Sequence, residues 1–334
     1  MELVPSKRVD LLVVCAVSAL LTLPCFGQAE PVKLTRHGDA IDVTIGGSPF
    51  TTYNFAPEYS KSFLQPLRDP RGIIITRAIP VGNVIPPGHE HDPGLEPHQR
   101  GLYFAHGDID GNSFWIEEAF SKYYKHDAPV KYGRMVFRTL EQVQSGPASG
   151  VIRATYDLEG PDKKPFAQQT EEYKFSGDKN LRVIDCEFLI KAGSQPVHFG
   201  DTKEGTFGIR LSPELDAPKS SMVNSEGGQG EAQVWGKRAN WVDVDGVIDG
   251  QELGVAVLDA PDSFRHPTYW HARGYGLLAA NPFGLSYFLG DKKKDGGYTL
   301  PAGKTVKFRY RVLIHDGSYK DAHIAEKYTQ YAAH

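Results

Sequence analysis

From Val32 onward, apolar and polar residues alternate with a period near two, in short runs divided by Gly, Pro, Asn and Asp. At that period the side chains of an extended chain share a face, so the runs predict strands. The expected strands cover residues 40–45, 72–79, 101–106, 131–140, 150–158, 168–175, 181–190, 207–211, 252–258, 275–279 and 305–314. Strands at this spacing with no helices between them predict an all-β protein, a large antiparallel β-sandwich. One short helix is expected at the C-terminal end. There Ser318-Tyr-Lys-Asp321 resembles a capping box, and Ala322, Ala325, Tyr328 and Ala332 recur on one face. Residues 217–230, rich in Ser and Gly, read as a mobile surface loop.

The first 29 residues break this pattern. Lys7 and Arg8 precede an apolar run, 11–23, that is too short to span a bilayer and suits the core of a signal peptide. Small residues flank two possible cuts, Cys25 with Gly27 and Gly27 with Ala29. The second is preferred, which makes 1–29 a signal peptide and 30–334 one β-sandwich domain in the periplasm or outside the cell. A lipid anchor at Cys25 is disfavoured by Pro24 before it. Cleavage removes Cys15 and Cys25, so Cys186 has no disulfide partner. Alternation sets it beside Ile184, Phe188 and Ile190, and a buried thiol is expected rather than a nucleophile. The formal charge of −4 leaves no basic surplus for nucleic acid, and no membrane role is expected after cleavage.

Three blocks gather chemistry. In the first, residues 86–115, His89 and His91 form a His-x-His pair that, with His98 or His106, offers imidazoles to a divalent metal; a solvated loop is the alternative. His98 and Arg100 flank the entrance of the 101–106 strand, and Trp115 closes the block. His106 sits where that strand meets a turn, a place for proton exchange near neutral pH. In the second block, Asp201, Lys203 and Glu204 crowd a turn before a strand carrying Arg210. Close carboxylates beside cations can divide into acid and base. In the third, Arg265, Trp270, His271 and Arg273 interleave with Tyr269 and Tyr275. Rings cover the C–H face of a sugar while Arg and His bond its hydroxyls or a uronate, and Trp235 and Trp241 can add stacking surfaces. A serine-hydrolase elbow, a Walker loop, a dinucleotide fingerprint and a Cys-x-x-Cys pair are all missing.

At these blocks the sequence resembles a bacterial family known as PmoA-like, a domain of unknown function frequent in glycan degraders. The stretch Glu96-Pro-His-Gln-Arg-Gly-Leu-Tyr-Phe-Ala-His-Gly107 through Phe114-Trp115, with Asp201-Thr-Lys-Glu-Gly205, Arg265-His-Pro-Thr-Tyr-Trp-His271 and Asn281-Pro-Phe-Gly284, carries the resemblance. Gln99 stands where that pattern more often has His. The methane-oxygenase label does not suit a chain without a spanning segment after residue 29. The closing strand region, residues 300–315, is similar to the last strands of galactose-mutarotase-like supersandwiches, a fold used by epimerases, polysaccharide lyases and glycosidase domains.

The sequence therefore leads to an exported carbohydrate-active enzyme on a supersandwich, most readily a glycoside hydrolase, with a lyase or epimerase also open. Catalysis is expected from His106, His271, Asp201 and Glu204. Substrate binding is expected from His98, Arg100, Trp115, Lys203, Arg210, Trp241, Arg265, Trp270 and Arg273. No cofactor is expected. Two alternatives stand beside this reading: a noncatalytic glycan-binding module, and a metal-dependent enzyme using His89, His91, His98 or His106.

Overall fold

A computed structural model of the protein describes residues 1–2, 28–77, 96–123 and 129–333. The apolar run 11–23, both cleavage sites up to residue 27, and His89 and His91 lie outside these residues. Two eight-stranded sheets dominate. The first runs, edge to edge, Val32–His37, Ala40–Ile45, Ser48–Asn54, Phe63–Leu64, Leu102–His106, Gly205–Arg210, Leu277–Asn281 and Tyr269–Arg273. The second runs Ser221–Asn224, Trp241–Ile248, Gln251–Asp259, Thr305–Asp316, Leu181–Ala192, Pro165–Gly177, Gly150–Glu159 and Arg134–Gln144. Neighbouring strands pair antiparallel throughout, as in Phe308 opposite Phe188 and Tyr173 opposite Cys186.

The sheets pack face to face through aromatic side chains. Phe104 of the first sheet stacks on Phe188 of the second with centroids 4.2 Å apart, and Phe207 stacks on Tyr310 at 4.7 Å. Phe50 meets Phe175 edge-on at 6.2 Å. Each such ring contributes roughly 1.5–3 kcal/mol by leaving water, so this seam is the main source of stability. Cys186 lies in it, buried as its alternation implied, and burial drives its thiol pKa well up.

Local chemistry overrode the pattern in four places. Residues 72–77 form isolated bridges (Arg68 with Ile74, Thr76 with Leu211) instead of a strand. The Ser/Gly-rich stretch 217–230 holds the strand Ser221–Asn224, because Asn224 accepts the amides of Glu226 and Gly228 and closes a hairpin turn. Ser318 and Asp321 do pair, Oγ to Oδ2 at 2.6 Å, but they close a turn ahead of the helix. The helix itself is Ile324–Ala332 and buries Ile324 and Tyr331; of the expected stripe, Ala322 just ahead of the helix is buried and Tyr328 packs against the same cluster, while Ala325 is exposed. Trp241, expected at a ligand, lies under this helix in a satellite cluster with Leu258, Leu313 and Tyr319, on the far side of the second sheet.

A polar cluster around Glu171 interrupts the seam. Glu171 is fully buried, with Oε2 accepting from Ser62 Oγ at 2.6 Å and Tyr53 Oη at 3.0 Å, and Oε1 accepting from Gln169 Nε2 at 2.9 Å. Burial outweighs these hydrogen bonds and pushes its carboxyl up to about 7. A carboxyl with a raised folded-state pKa binds its proton more tightly folded than unfolded. Its contribution is full below the ordinary carboxylate range and is lost as pH rises through about 7. Urea unfolding should show stability falling between pH 5 and pH 8, by an amount on the order of 3 kcal/mol from this residue, and Glu171→Gln should flatten that slope. An unchanged slope in the variant would assign the pH dependence elsewhere.

Candidate functional site

The pleat of four adjacent strands of the first sheet, Leu102–His106, Gly205–Arg210, Leu277–Asn281 and the edge strand Tyr269–Arg273, separates its polar residues into two sets. Register aligns Phe104, Phe207, Ala280 and Trp270 in one row facing the second sheet. The next row, Tyr103, Gly208, Ala279 and His271, must face the other way, and so must the row Arg210, Leu277 and Arg273. The outer face therefore carries small residues at its centre with His271, Arg210 and Arg273 beside them. Gly208 is needed there: a Cβ would come within 3.0 Å of the Tyr103 ring and 3.2 Å of Trp115, which lie across it.

His106 falls on the inner face. Its Nε2 lies 2.8 Å from the Gly200 carbonyl, so the neutral ring donates there, and its ring packs 4.6 Å from Phe283. Nδ1 is buried without a partner among the described residues, beneath Gly205. Burial pushes the imidazole down to about 4. Trp270 shares that face, fully buried, its Nε1 donating to the Ala239 carbonyl at 2.9 Å. Neither side chain joins the outer-face group. His106 is held as a packed neutral ring and Trp270 as core, which removes the geometric basis for the proton-transfer and stacking expectations.

Asp201 and Arg265 hold loops. Asp201 Oδ2 accepts the amides of Ser286 at 2.9 Å and Gly296 at 2.8 Å. Arg265 donates to the carbonyls of Pro282 at 3.0 Å, Gly297 at 2.9 Å and Gly296. Both are thereby committed to pinning residues 282–297, away from the paired-carboxylate role expected of Asp201 and the ligand role expected of Arg265. Arg100 is likewise occupied. Its Nε and Nη2 contact Glu117 at 3.0 and 3.2 Å, and its guanidinium lies 4.9–5.3 Å from the Tyr59, Phe63 and Phe120 rings. Lys61 completes the group, donating to Glu117 at 3.0 Å and to the Trp115 carbonyl at 2.8 Å. Glu117 thus holds two buried cations behind Trp115, and Lys61 is pushed down to about 8 by burial. Glu117→Gln would leave those cations under-compensated and should cost about 3–5 kcal/mol of stability, read as a fall in midpoint on thermal unfolding.

The remaining expected residues converge. His271 is buried, and its Nδ1 accepts the indole N–H of Trp235 at 3.0 Å. An indole nitrogen only donates, so Nδ1 must be the bare nitrogen and the ring proton sits on Nε2. Burial, then Lys203 and Arg273, push the ring down to about 3. His98, also buried, is driven well below its ordinary value by burial and by Lys61, Arg210, Lys203 and Arg100. Arg210 is fully buried, donates from Nη1 to Gln99 Oε1 at 2.6 Å, and lies 4.7 Å from the Tyr275 ring. Gln99, where the PmoA-like pattern more often has His, is therefore the acceptor that orients this guanidinium. Arg273 reaches the same ring from 5.5 Å. Lys203 pairs with Glu204 at the rim, where both are about one-third exposed. Trp115 lines the floor, its Nε1 buried and without a partner among the described residues.

Sequence reasoning did not pick out Lys61, Tyr103, Glu117 or Arg77. A glutamate just after the apolar Phe114-Trp-Ile116 was the available signal, since a charge in such company must find a partner; Lys61, between Ser60 and Ser62, carried none. Among the described residues no cluster of three His, Cys, Asp or Glu is placed to hold a metal ion. His89 and His91 are outside that statement. The tautomer argument has a direct check. In 15N-resolved NMR, His271 should remain neutral with its proton on Nε2 to below pH 5, and Trp235→Phe should raise its pKa by freeing Nδ1. A ring that titrates near 6.5 in the unaltered protein would refute it.

A family model described as a family of unknown function (DUF6807) matches residues 40–329; that description is not the PmoA-like one. No curated protein matches the sequence. Among solved structures, a galactose mutarotase-like protein from Clostridium acetobutylicum is 12% identical, with a TM-score of 0.42, covering 85% of this chain and 98% of that one. The α-galactosidase from Lactobacillus brevis is 8% identical (TM-score 0.37; 87% and 40% covered), and heparan sulfate lyase HepC from Pedobacter heparinus is 9% identical (TM-score 0.36; 86% and 35% covered). This chain thus spans nearly all of the first and well under half of the other two.

Proposed function

The chain belongs to the DUF6807 family, whose function is unknown, and from its own residues we propose that it acts on a sugar by acid–base chemistry at the outer face of the first sheet. The observation that carries this reading is the Trp235–His271 pair beside Lys203 and Glu204. His271 is a neutral N–H donor and no base; with its pKa near 3 it stays uncharged at any physiological pH. Such a group stabilises negative charge developing on an oxygen, at a position fixed before the substrate arrives. Glu204, at the rim beside Lys203, is the candidate to accept a proton.

One carboxylate and one neutral donor suit abstraction of a proton from a sugar with its oxygen held by Nε2–H. Isomerisation and β-elimination both proceed that way. Hydrolysis by paired carboxylates needs a second acid, and Asp201 is spent on two loop amides. The reading thus shifts from a glycoside hydrolase towards an epimerase or lyase. The half-buried ring of Tyr275 provides apolar surface for a sugar ring to pack on, with the buried rings of Tyr103 and Trp115 part of the core. Export through a signal peptide over residues 1–29, to the periplasm or beyond, forms part of the proposal.

His271→Ala and Glu204→Gln should each lower turnover by about 100-fold or more on whichever free aldose or oligosaccharide of a test panel the protein converts. Turnover at the unaltered rate in both variants would sink the assignment. Binding of a glycan with no product under any condition would favour a noncatalytic module.

A further inference from the structure

The hydrogen bond from Trp235 to His271 is held in place from a distance. Trp235 follows the short helix Glu231–Val234 and is only partly buried, so its indole needs a neighbour to keep the N–H on Nδ1 of His271. Phe288 is that neighbour. Its ring meets the indole edge-on with centroids 5.5 Å apart, stacks on Tyr269 at 5.5 Å and lies 6.5 Å from the His271 ring. Two glycines seat it. A Cβ at Gly284 would come within 2.6 Å of the Phe288 ring, and one at Gly236, next to Trp235, within 3.1 Å of the Phe288 carbonyl oxygen.

The helix that carries Phe288, Leu285–Leu289, is too short to hold itself in place. Asp201 supplies the anchor. Its Oδ2 accepts the Ser286 amide within that helix at 2.9 Å and the Gly296 amide beyond it at 2.8 Å, so one carboxylate oxygen closes the loop around Phe288. A second strap runs beside it, from Asn281 Nδ2 to the Thr202 carbonyl at 2.9 Å, while Asn281 Oδ1 accepts the Phe283 amide. Asp201 and Thr202 also begin the turn that carries Lys203 and Glu204, where Thr202 Oγ1 accepts the Glu204 amide at 3.2 Å. The same few atoms tie the turn bearing Glu204 to the helix whose ring steadies the indole.

We infer that Asp201 and Phe288 are positioning residues: Asp201 anchors the helix, and Phe288 holds the Trp235 indole on His271 at a fixed place relative to the Glu204 turn. The consequence for catalysis rests on the acid–base reading, and the arrangement itself does not.

The test is 15N-resolved NMR of the full chain, which reads the exchange of the Trp235 indole proton with water and the titration of His271. In Phe288→Ala the indole proton should exchange at least about tenfold faster, and His271, with Nδ1 freed and water admitted, should titrate at least about one pH unit higher. Phe288→Met keeps an apolar side chain of similar reach and should bring both readings back near those of the unaltered protein. Asp201→Ala should move both in the same direction by less. Removing a carboxylate charge would by itself lower the His271 pKa, so a rise identifies displacement of the indole. Lys203 and Arg273, the cations acting on His271, are untouched in every variant. Unchanged readings in folded Phe288→Ala would overturn the role of Phe288; should that variant fail to fold, unchanged readings in the milder Phe288→Val would do so. A His271 titration unmoved or lowered in Asp201→Ala would overturn the role of Asp201. No substrate enters these measurements, so their failure leaves the acid–base reading to its own test.

Discussion

The two-residue repeat of four adjacent strands of the first sheet is the constraint on which the rest of the molecule depends. Side chains one position apart on Leu102–His106, Gly205–Arg210, Leu277–Asn281 and Tyr269–Arg273 have opposite fates. Phe104, Phe207 and Trp270 must serve the seam with the second sheet. Tyr103, Arg210 and His271 are then forced onto the other face, whatever their chemistry. A one-residue slip of Gly205–Arg210 would turn the Arg210 guanidinium into the aromatic seam and turn Phe207 out of it. The aromatic seam that stabilises the sandwich therefore also fixes which polar groups can meet.

Buried charge on the outer face is supported in layers. Arg100 and Lys61 share Glu117, Arg210 leans on Gln99 and Tyr275, and Arg273 on Glu231 and Tyr275. Guanidiniums suit this placement because their planar faces lie against rings while their edges reach acceptors. Lys61 has no such face, and burial lowers its pKa where Glu117 and the Trp115 carbonyl do not fully compensate. The carboxylates and rings that hold these cations offset the cost of keeping them from water, and Arg210 and Arg273 stand in one row on either side of Leu277.

Much of the architecture could be read from alternation, because a strand buried on one face writes its period into the chain. Leu181–Ala192 did so almost perfectly, Cys186 included. The short strand Ser221–Asn224 did not, since its pairing depends on an Asn turn hidden in a Ser/Gly-rich stretch. The site was legible as three blocks of residue types but not as a partition between faces. His106 and His271 look alike in sequence, each at the margin of an aromatic run, and only the register of four strands that are distant along the chain sends one inward and the other outward. Asp201 and Glu204, three positions apart on one turn, separate for a different reason. The backbone amides of Ser286 and Gly296, supplied by a segment about ninety residues later, take Asp201 and leave Glu204 to the rim.

Trp235 shows why hydrogen-bond direction matters more here than the identity of the imidazole. A carboxylate at the same place would accept a proton from Nδ1, make Nε2 the bare nitrogen and turn His271 into a base. The indole does the reverse, since it can only give. With Lys203 and Arg273 further opposing protonation, the ring has one state available across the working pH range, and that state is a donor aimed at a face already rich in donors. The chemistry of the site is in this sense set by what its neighbours withhold. Among the described residues its two imidazoles are both held neutral by burial and nearby cations, with Glu204 and Glu96 as the carboxylates beside them. Under the proposed acid–base reading, proton removal by Glu204 would generate charge where fixed donors are ready to receive it.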